Sequence, residues 1–198
     1  MEHSYNKKLI INDALGEEEF KNIRNHFLSD YIPWMYNDGV VTEDPKDFQM
    51  VHMVYDLDFL PPQYEWEIFQ PLLYLLKPHC LIKVKANLRT KTSEKEVSDW
   101  HTDNHAVGGY TAIFYLNTND GTTVFHDGDQ IESKENRLVV FPSHLLHSGT
   151  TPTNTNRRVL LNINYIPNLE DKFYEPILRS EDKKYIKFWT DIQNGDPG

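Results

Sequence analysis

Two histidines and a carboxylate fall within six residues in the stretch WHTDNH, Trp100 to His105. His101-x-Asp103 is the only His-x-Asp in the chain, but nine histidines and sixteen aspartates in 198 residues give about 0.7 such pairs by chance. A match this short needs context before it means anything. On a β-strand, residues two apart project from one face, so His101 and Asp103 could reach the same metal ion. A third donor is offered forty-six residues on, in VVFPSHLLHSGTT, where His144 and His147 compete for the role. Three protein ligands would leave positions open at the ion, the arrangement of a catalytic rather than a structural metal.

The single cysteine, Cys80, excludes an internal disulfide and a thiolate zinc site, so a metal would use His, Asp and Glu. One cysteine and no apolar leader in MEHSYNKK suggest a reducing, cytoplasmic setting. No apolar run approaches the ~20 residues of a membrane helix. The net charge of −10 argues against non-specific nucleic-acid binding, which needs cations to displace counterions. The local basic run Lys77, Lys83, Lys85, Arg89, Lys91 and Lys95 reads as a solvated strand edge or loop. Length and 39% apolar content fit one globular domain, residues 1–198.

The elements that must position the donors follow from periodicity. Residues 17–29 place Phe20, Ile23, Phe27 and Leu28 on one helical stripe behind three acidic residues. Residues 62–77 repeat Trp66, Phe69, Leu73 and Leu76, with Pro71 expected to kink or split that helix. YIPWMYNDG and TEDPKD read as loops. From residue 81 the period changes to two, in LIKVKANLR, TAIFYLNT, TTVFHD, DQIES, RLVVFPS and RRVLLNINY. The expected fold is therefore mainly β with flanking helices. Its core would be a jelly roll, or double-stranded β-helix, over 80–167, with a helical part at 1–79 packed on the major sheet. SEDKKYIKFWTDIQ, in the 168–198 tail, reads as a final packing helix.

Two histidines and one carboxylate on one face of a metal form the ligand set of non-haem Fe(II) oxygenases. His101-x-Asp103, then His147, then a basic residue ten or eleven positions later resembles the Fe(II)/2-oxoglutarate-dependent dioxygenases, most closely their prolyl-4-hydroxylase-like branch. HTDNHAVGGYTAIFYLN is similar to that branch's segment from the metal strand to the next. ENRLVVFPSHLLHSGTTPTNTNRRVLLNINY is similar to its closing segment, so the likeness covers about residues 80–167. The resemblance implies Fe(II) held by His101, Asp103 and His147, with 2-oxoglutarate as cosubstrate and O2 as oxidant. It implies hydroxylation of an unactivated C–H bond, possibly of a prolyl residue, with release of succinate and CO2.

The distal carboxylate of 2-oxoglutarate would need a buried cation. Arg157 shares parity with Val159, Leu161 and Ile163, whereas Arg158 shares it with Leu160, Asn162 and Asn164, the more polar and inward set. Arg158 is therefore the expected partner. In TAIFYLNT, Ala112, Phe114 and Leu116 read as helix-covered, so Thr111, Ile113 and Tyr115 point inward. The resemblance assigns the Tyr115 hydroxyl to the same carboxylate, with Asn162 beside it. Asn87 stands where the family often has a tyrosine, and its amide is expected to donate to the cosubstrate. Lys83, Lys85 and Arg89 share its parity, an unusually basic interior face that suggests a bulge or an open mouth.

Arg89, His105 and Trp34, from the aromatic loop YIPWMY, are the candidate substrate contacts. A fourth protein ligand would occupy a position the cosubstrate or O2 needs, so His105 is read as facing substrate. His144 and His126 read as surface residues, and the four earlier histidines as structural or solvated. The substrate could be a peptide, a protein or a small molecule. Two rivals remain at this point: a cupin-like zinc or manganese hydrolase or isomerase, and a jelly-roll binding module without catalysis. The first would need no cation at Arg158, and the second no metal.

Overall fold

The period-two segments do build sheets, in a computed structural model that describes residues 2–5, 8–40, 47–58, 60–103, 108–168 and 170–177. The strands are β1 (Glu2–Tyr5), β2 (Lys8–Ile11), β3 (Met35–Asn37), β4 (Gln49–Asp56), β5 (Pro78–Thr90) and β6 (Tyr110–Tyr115). They continue as β7 (Thr122–Phe125), β8 (Gln130–Glu132), β9 (Arg137–Pro142), β10 (His147–Gly149) and β11 (Arg157–Pro167). Helices α1 (Glu17–Phe27) and α2 (Gln63–Leu76) flank them, and a 3-10 turn covers Lys172–Ile177. The large sheet runs β1-β2-β9-β6-β11-β5-β4-β3, and the small one runs β10-β7-β8. Every pairing is antiparallel.

Alternation along the central strands divides the interior in two. On one side Ala112, Phe114, Val159, Leu161 and Ile163 pack under Phe20, Ile23 and Phe27 of α1 and Phe69, Leu72 and Leu76 of α2. On the other, Ile113, Tyr115, Val139, Phe141 and Leu160 meet Phe125 and Ile131 of the small sheet. A strand that is apolar on both faces must be covered on both faces, and here the helices cover one and the second sheet the other. The apolar floor thus lies beneath the site residues, which emerge from the inter-sheet side.

Three expectations change. The first 79 residues are not simply helical, because β1 and β2 extend the large sheet beside β9 while β3 and β4 complete its other edge. These strands are short or only weakly alternating, and they form by adding to a sheet edge. Pro71 does not split α2, which runs unbroken from Gln63 to Leu76. Proline removes one N–H, and Phe69 and Leu72, both fully buried, pack on either side of it. Trp100–Asp103, the described part of WHTDNH, is not a strand; His101 makes a single antiparallel bridge to His147. The proposed tail helix lies outside the described residues.

Candidate metal centre and cosubstrate pocket

The bridge does the work a strand was expected to do. The backbone N–H of His101 donates to the carbonyl of His147 at 2.9 Å, and the reverse bond is also 2.9 Å. β10 begins at His147 and is itself held to β7, with His147 opposite Phe125. The two imidazole rings sit 4.6 Å apart, centroid to centroid. Each ring is also turned by its own Nδ1, which lies 3.0 Å from the Asp99 carbonyl in His101 and 2.9 Å from the Leu145 carbonyl in His147. A carbonyl can only accept, so Nδ1 carries the proton in both rings and Nε2 keeps its lone pair for a metal.

Asp103 completes the set, with its carboxylate oxygens 3.9 Å from Nε2 of His101 and 3.4 Å from Nε2 of His147. The three donor atoms lie within 4.8 Å of one another. Asn162 on β11 fixes the carboxylate, since its Nδ2 lies 3.2 and 3.1 Å from the two oxygens. Burial pushes the Asp103 carboxyl up, but His147 beside it, with His101 and Lys85, outweighs this and holds the group far below the carboxylate range. Burial, reinforced by His147, lowers His101. Burial also pushes His147 down, but the Asp103 carboxylate beside it leaves it raised. Two imidazole nitrogens and a carboxylate converging with no fourth side-chain donor among the described residues fit a divalent ion with open positions.

Arg158 lines the same cavity from the far end and is 4% exposed. Its Nε donates to Ser133 Oγ at 2.7 Å and its Nη2 to Thr123 Oγ1 at 3.0 Å. The guanidinium lies over the Tyr115 ring, 5.6 Å from the centroid. Burial lowers its affinity for its proton, and among the described residues no carboxylate is paired with it. The room it occupies depends on two glycines. A Cβ at Gly121 would fall 2.6 Å from Arg158 Cδ, and one at Gly149 would fall 3.0 Å from Nη1. A buried cation without an anion, in a space kept open by glycine, fits the distal carboxylate of 2-oxoglutarate. Arg157 points the other way, and its Nη2 donates to the carbonyl of Leu28 at the end of α1, 2.8 Å away.

The fully buried Tyr115 donates its hydroxyl to Thr123 Oγ1 at 2.7 Å. Thr123 therefore accepts from both Tyr115 and Arg158, which leaves its own proton free for the cavity it lines. Thr123 and Ser133 were not singled out in the sequence, where nothing separates them from the other hydroxyls of the β7–β8 hairpin. Asn87 and Asn162 both line the cavity, and each has a buried Oδ1 without a hydrogen-bond partner. Arg89 lines it too, but its Nη1 is engaged by Asp47 Oδ1 and Ser98 Oγ, both at 2.6 Å. Lys85 lines the metal end, where burial depresses its ammonium and the charge of Asp103 supports it.

Trp34 lies away from the cavity. It packs against the helix-side core beside His52, with ring centroids 6.4 Å apart, and does not line the cavity. Its apolar area is better covered there than at a solvated rim. His105 lies outside the described residues. His144 and His126 are exposed, and His126 packs edge-on against Trp100.

Residues 89–166 match the family model of the 2OG-Fe(II) oxygenase superfamily. That segment carries His101, Asp103, His147 and Arg158, and over it the chain is similar to that superfamily. An oxidoreductase of the 2OG-Fe(II) oxygenase family from Burkholderia pseudomallei is similar in structure, with a TM-score of 0.59 at 12% identity, over 82% of this chain and 86% of that one. A Pseudomonas putida prolyl-4-hydroxylase gives 0.53 at 13%, over 82% and 93%. The epimerase SnoN, in complex with Fe3+, alpha ketoglutarate and nogalamycin RO, gives 0.59 at 12%, over 81% and 79%. At such identities the likeness is one of fold. No curated protein matches the chain. The fold spans hydroxylases and epimerases, so it does not select the prolyl-hydroxylase branch.

Proposed function

We propose that the protein is a single-domain Fe(II)- and 2-oxoglutarate-dependent dioxygenase, residues 1–198, that hydroxylates an unactivated C–H bond and releases succinate and CO2. In this reading the two sheets form the double-stranded β-helix that the likeness to the superfamily implies. The observation that carries it is Arg158, a buried guanidinium without a carboxylate partner among the described residues, lining one cavity with His101, Asp103 and His147. A cupin-like hydrolase has no use for such a cation.

His101, Asp103 and His147 would hold the metal through Nε2, a carboxylate oxygen and Nε2. Iron and 2-oxoglutarate, when bound, supply O2 activation coupled to decarboxylation of the cosubstrate. The chain's own contribution is orientation and exclusion of water. Arg158, steadied by Ser133 and Thr123, grips the distal carboxylate, and the free Thr123 proton adds a second donor to it. Tyr115 acts through Thr123 rather than touching the cosubstrate itself. Asn162 keeps the Asp103 carboxylate aimed at the metal. Ile113 and Leu160 give the cavity apolar walls that shield a reactive oxidant from bulk water.

A prolyl C–H bond is one substrate of this class. Succinate formation from 2-oxoglutarate, followed with Fe(II) present and absent, tests the reading. Succinate should form above background in the wild type with iron and vanish in His101→Ala. Equal formation with and without iron, or none from folded wild type, overturns it.

A further inference from the structure

Beyond Arg158 and Arg89, the cavity holds a third cation, Lys85, that the cosubstrate does not use. On β5, Val84 and Ala86 are fully buried under the helices, so Lys85 between them faces the cavity, on the side that also carries Asn87 and Arg89. Lys85 stands opposite Asn162 in the β5–β11 register, whereas Arg158 stands opposite Arg89. Four residues of strand separate the two positions, about 13 Å at ~3.3 Å per residue. Arg158 and Lys85 therefore mark opposite ends of the cavity.

The charges around it differ in how they are satisfied. Arg89 is committed to Asp47, and Arg158 faces the space assigned to the distal carboxylate. The Lys85 ammonium has neither hydrogen bond nor ion pair among the described residues. Three cations stand against the carboxylates of Asp47 and Asp103, and a divalent metal with a dianionic cosubstrate leaves that balance unchanged. One positive charge is left over, at Lys85. Beside it is an acceptor of fixed identity: because Asn162 Nδ2 donates to Asp103, Oδ1 must be its other atom, and Oδ1 is buried without a partner. The Asn87 Oδ1 is in the same state. A lone ammonium is a point charge suited to a monoanion, with none of the bidentate forks that dominate phosphate recognition.

We propose that Lys85 is the anchor for a carboxylate of the primary substrate, and that the orphan amide oxygens beside it accept N–H donors of the same molecule, so that the substrate is amino-acid-like. This rests on the oxygenase reading for the identity of the reaction, but not for the binding preference itself.

The test is calorimetry and thermal shift on the Ni(II)-loaded protein, with and without 2-oxoglutarate. The probes are free L-amino acids, proline included, and their methyl esters. At least one acid should bind the wild type about tenfold or more tightly than its ester, as expected for a hydrogen bond to a charged group. Lys85→Met should erase that preference, and Lys85→Arg should restore part of it. Affinity for 2-oxoglutarate should change less than about threefold in Lys85→Met, against the tenfold effect above. The proposal is overturned if no acid is preferred to its ester, or if the preference survives in Lys85→Met. It is also overturned if Lys85→Met weakens 2-oxoglutarate as strongly as the acid, which would make Lys85 a cosubstrate ligand. Failure of wild type to bind 2-oxoglutarate would instead sink the oxygenase reading, while the acid-over-ester comparison would still be read without it.

Discussion

His101 and His147 exchange both of their backbone hydrogen bonds, at 2.9 Å in each direction, across a bridge that belongs to no strand pair. The bridge sets the spacing of two candidate metal donors that lie forty-six residues apart in the chain. The ring Nδ1 bonds to Asp99 and Leu145 then set their aim. The third donor has a different support, the Asn162 amide on β11.

Asn162→Leu should therefore weaken metal binding without removing a ligand. Loss of such an outer support typically costs about 10- to 100-fold in affinity. His101→Ala or Asp103→Ala should abolish tight binding. Titration with Co(II), followed by its visible absorption, measures all three variants. An unchanged affinity in Asn162→Leu would show that Asp103 needs no support.

The two neighbouring arginines should separate cleanly. Arg158→Ala should raise the Kd for 2-oxoglutarate by about thirtyfold or more, the scale of losing one partner of a buried charge pair. Arg157→Ala should leave that Kd nearly unchanged and lower stability by about 1 kcal/mol, through the lost bond to Leu28 at the end of α1. Gly149→Ala should also weaken 2-oxoglutarate, because its Cβ would sit 3.0 Å from Arg158 Nη1 and displace it. Calorimetry on the Ni(II)-loaded variants resolves the three cases.

Tyr115→Phe removes the donor to Thr123 and should cost about 1 kcal/mol of stability. The 2-oxoglutarate Kd should rise only a few-fold, since Arg158 still holds Thr123. A loss as large as that of Arg158→Ala would mean that Tyr115 touches the cosubstrate directly.

Away from the site, Glu65 of α2 accepts from His26 and His52, with Nε2 to Oε1 distances of 3.0 and 2.8 Å. Burial pushes its carboxyl up, but the two histidines hold it down at about 2, from an ordinary 4.5. Its depressed value gives stability that is present above about pH 4.5 and lost as pH falls toward 2. His52, which burial lowers but Glu65 raises past its ordinary 6.5, gives stability present below that pH and lost as pH climbs through the folded value. The stability advantage of wild type over Glu65→Gln should be widest between about pH 4.5 and 6.5 and shrink on both sides. Urea denaturation across that range checks it, and a difference independent of pH would remove the histidines from the account.

Parity sorts the faces of the central strands in the sequence. The alternation in TAIFYLNT separates Ile113 and Tyr115, which meet the small sheet, from Ala112 and Phe114, which lie under the helices. The same reasoning sends Arg157 and Arg158 to opposite faces, as they are found. The strand expected at His101 and Asp103 is replaced by a single bridge, because among the described residues the backbone of Trp100–Asp103 pairs only with His147, a contact with no local signature. The engagement of Arg89 by Asp47 is equally non-local. Trp34 was placed at the mouth because an aromatic loop residue gives no sign of which wall will cover it. Pro71 marks a break by local rule, but the packing of Phe69 and Leu72 on either side overrides it.

The central claim is that His101, Asp103 and His147 hold iron in the cavity that Arg158 prepares for 2-oxoglutarate. Anaerobic addition of 2-oxoglutarate to the Fe(II)-loaded protein tests it most directly, through the weak visible charge-transfer band of the chelate. Wild type should show the band, Asp103→Ala should lack it, and Arg158→Ala should need far more 2-oxoglutarate to reach it. A folded, iron-loaded wild type that shows no band at saturating 2-oxoglutarate would contradict the account.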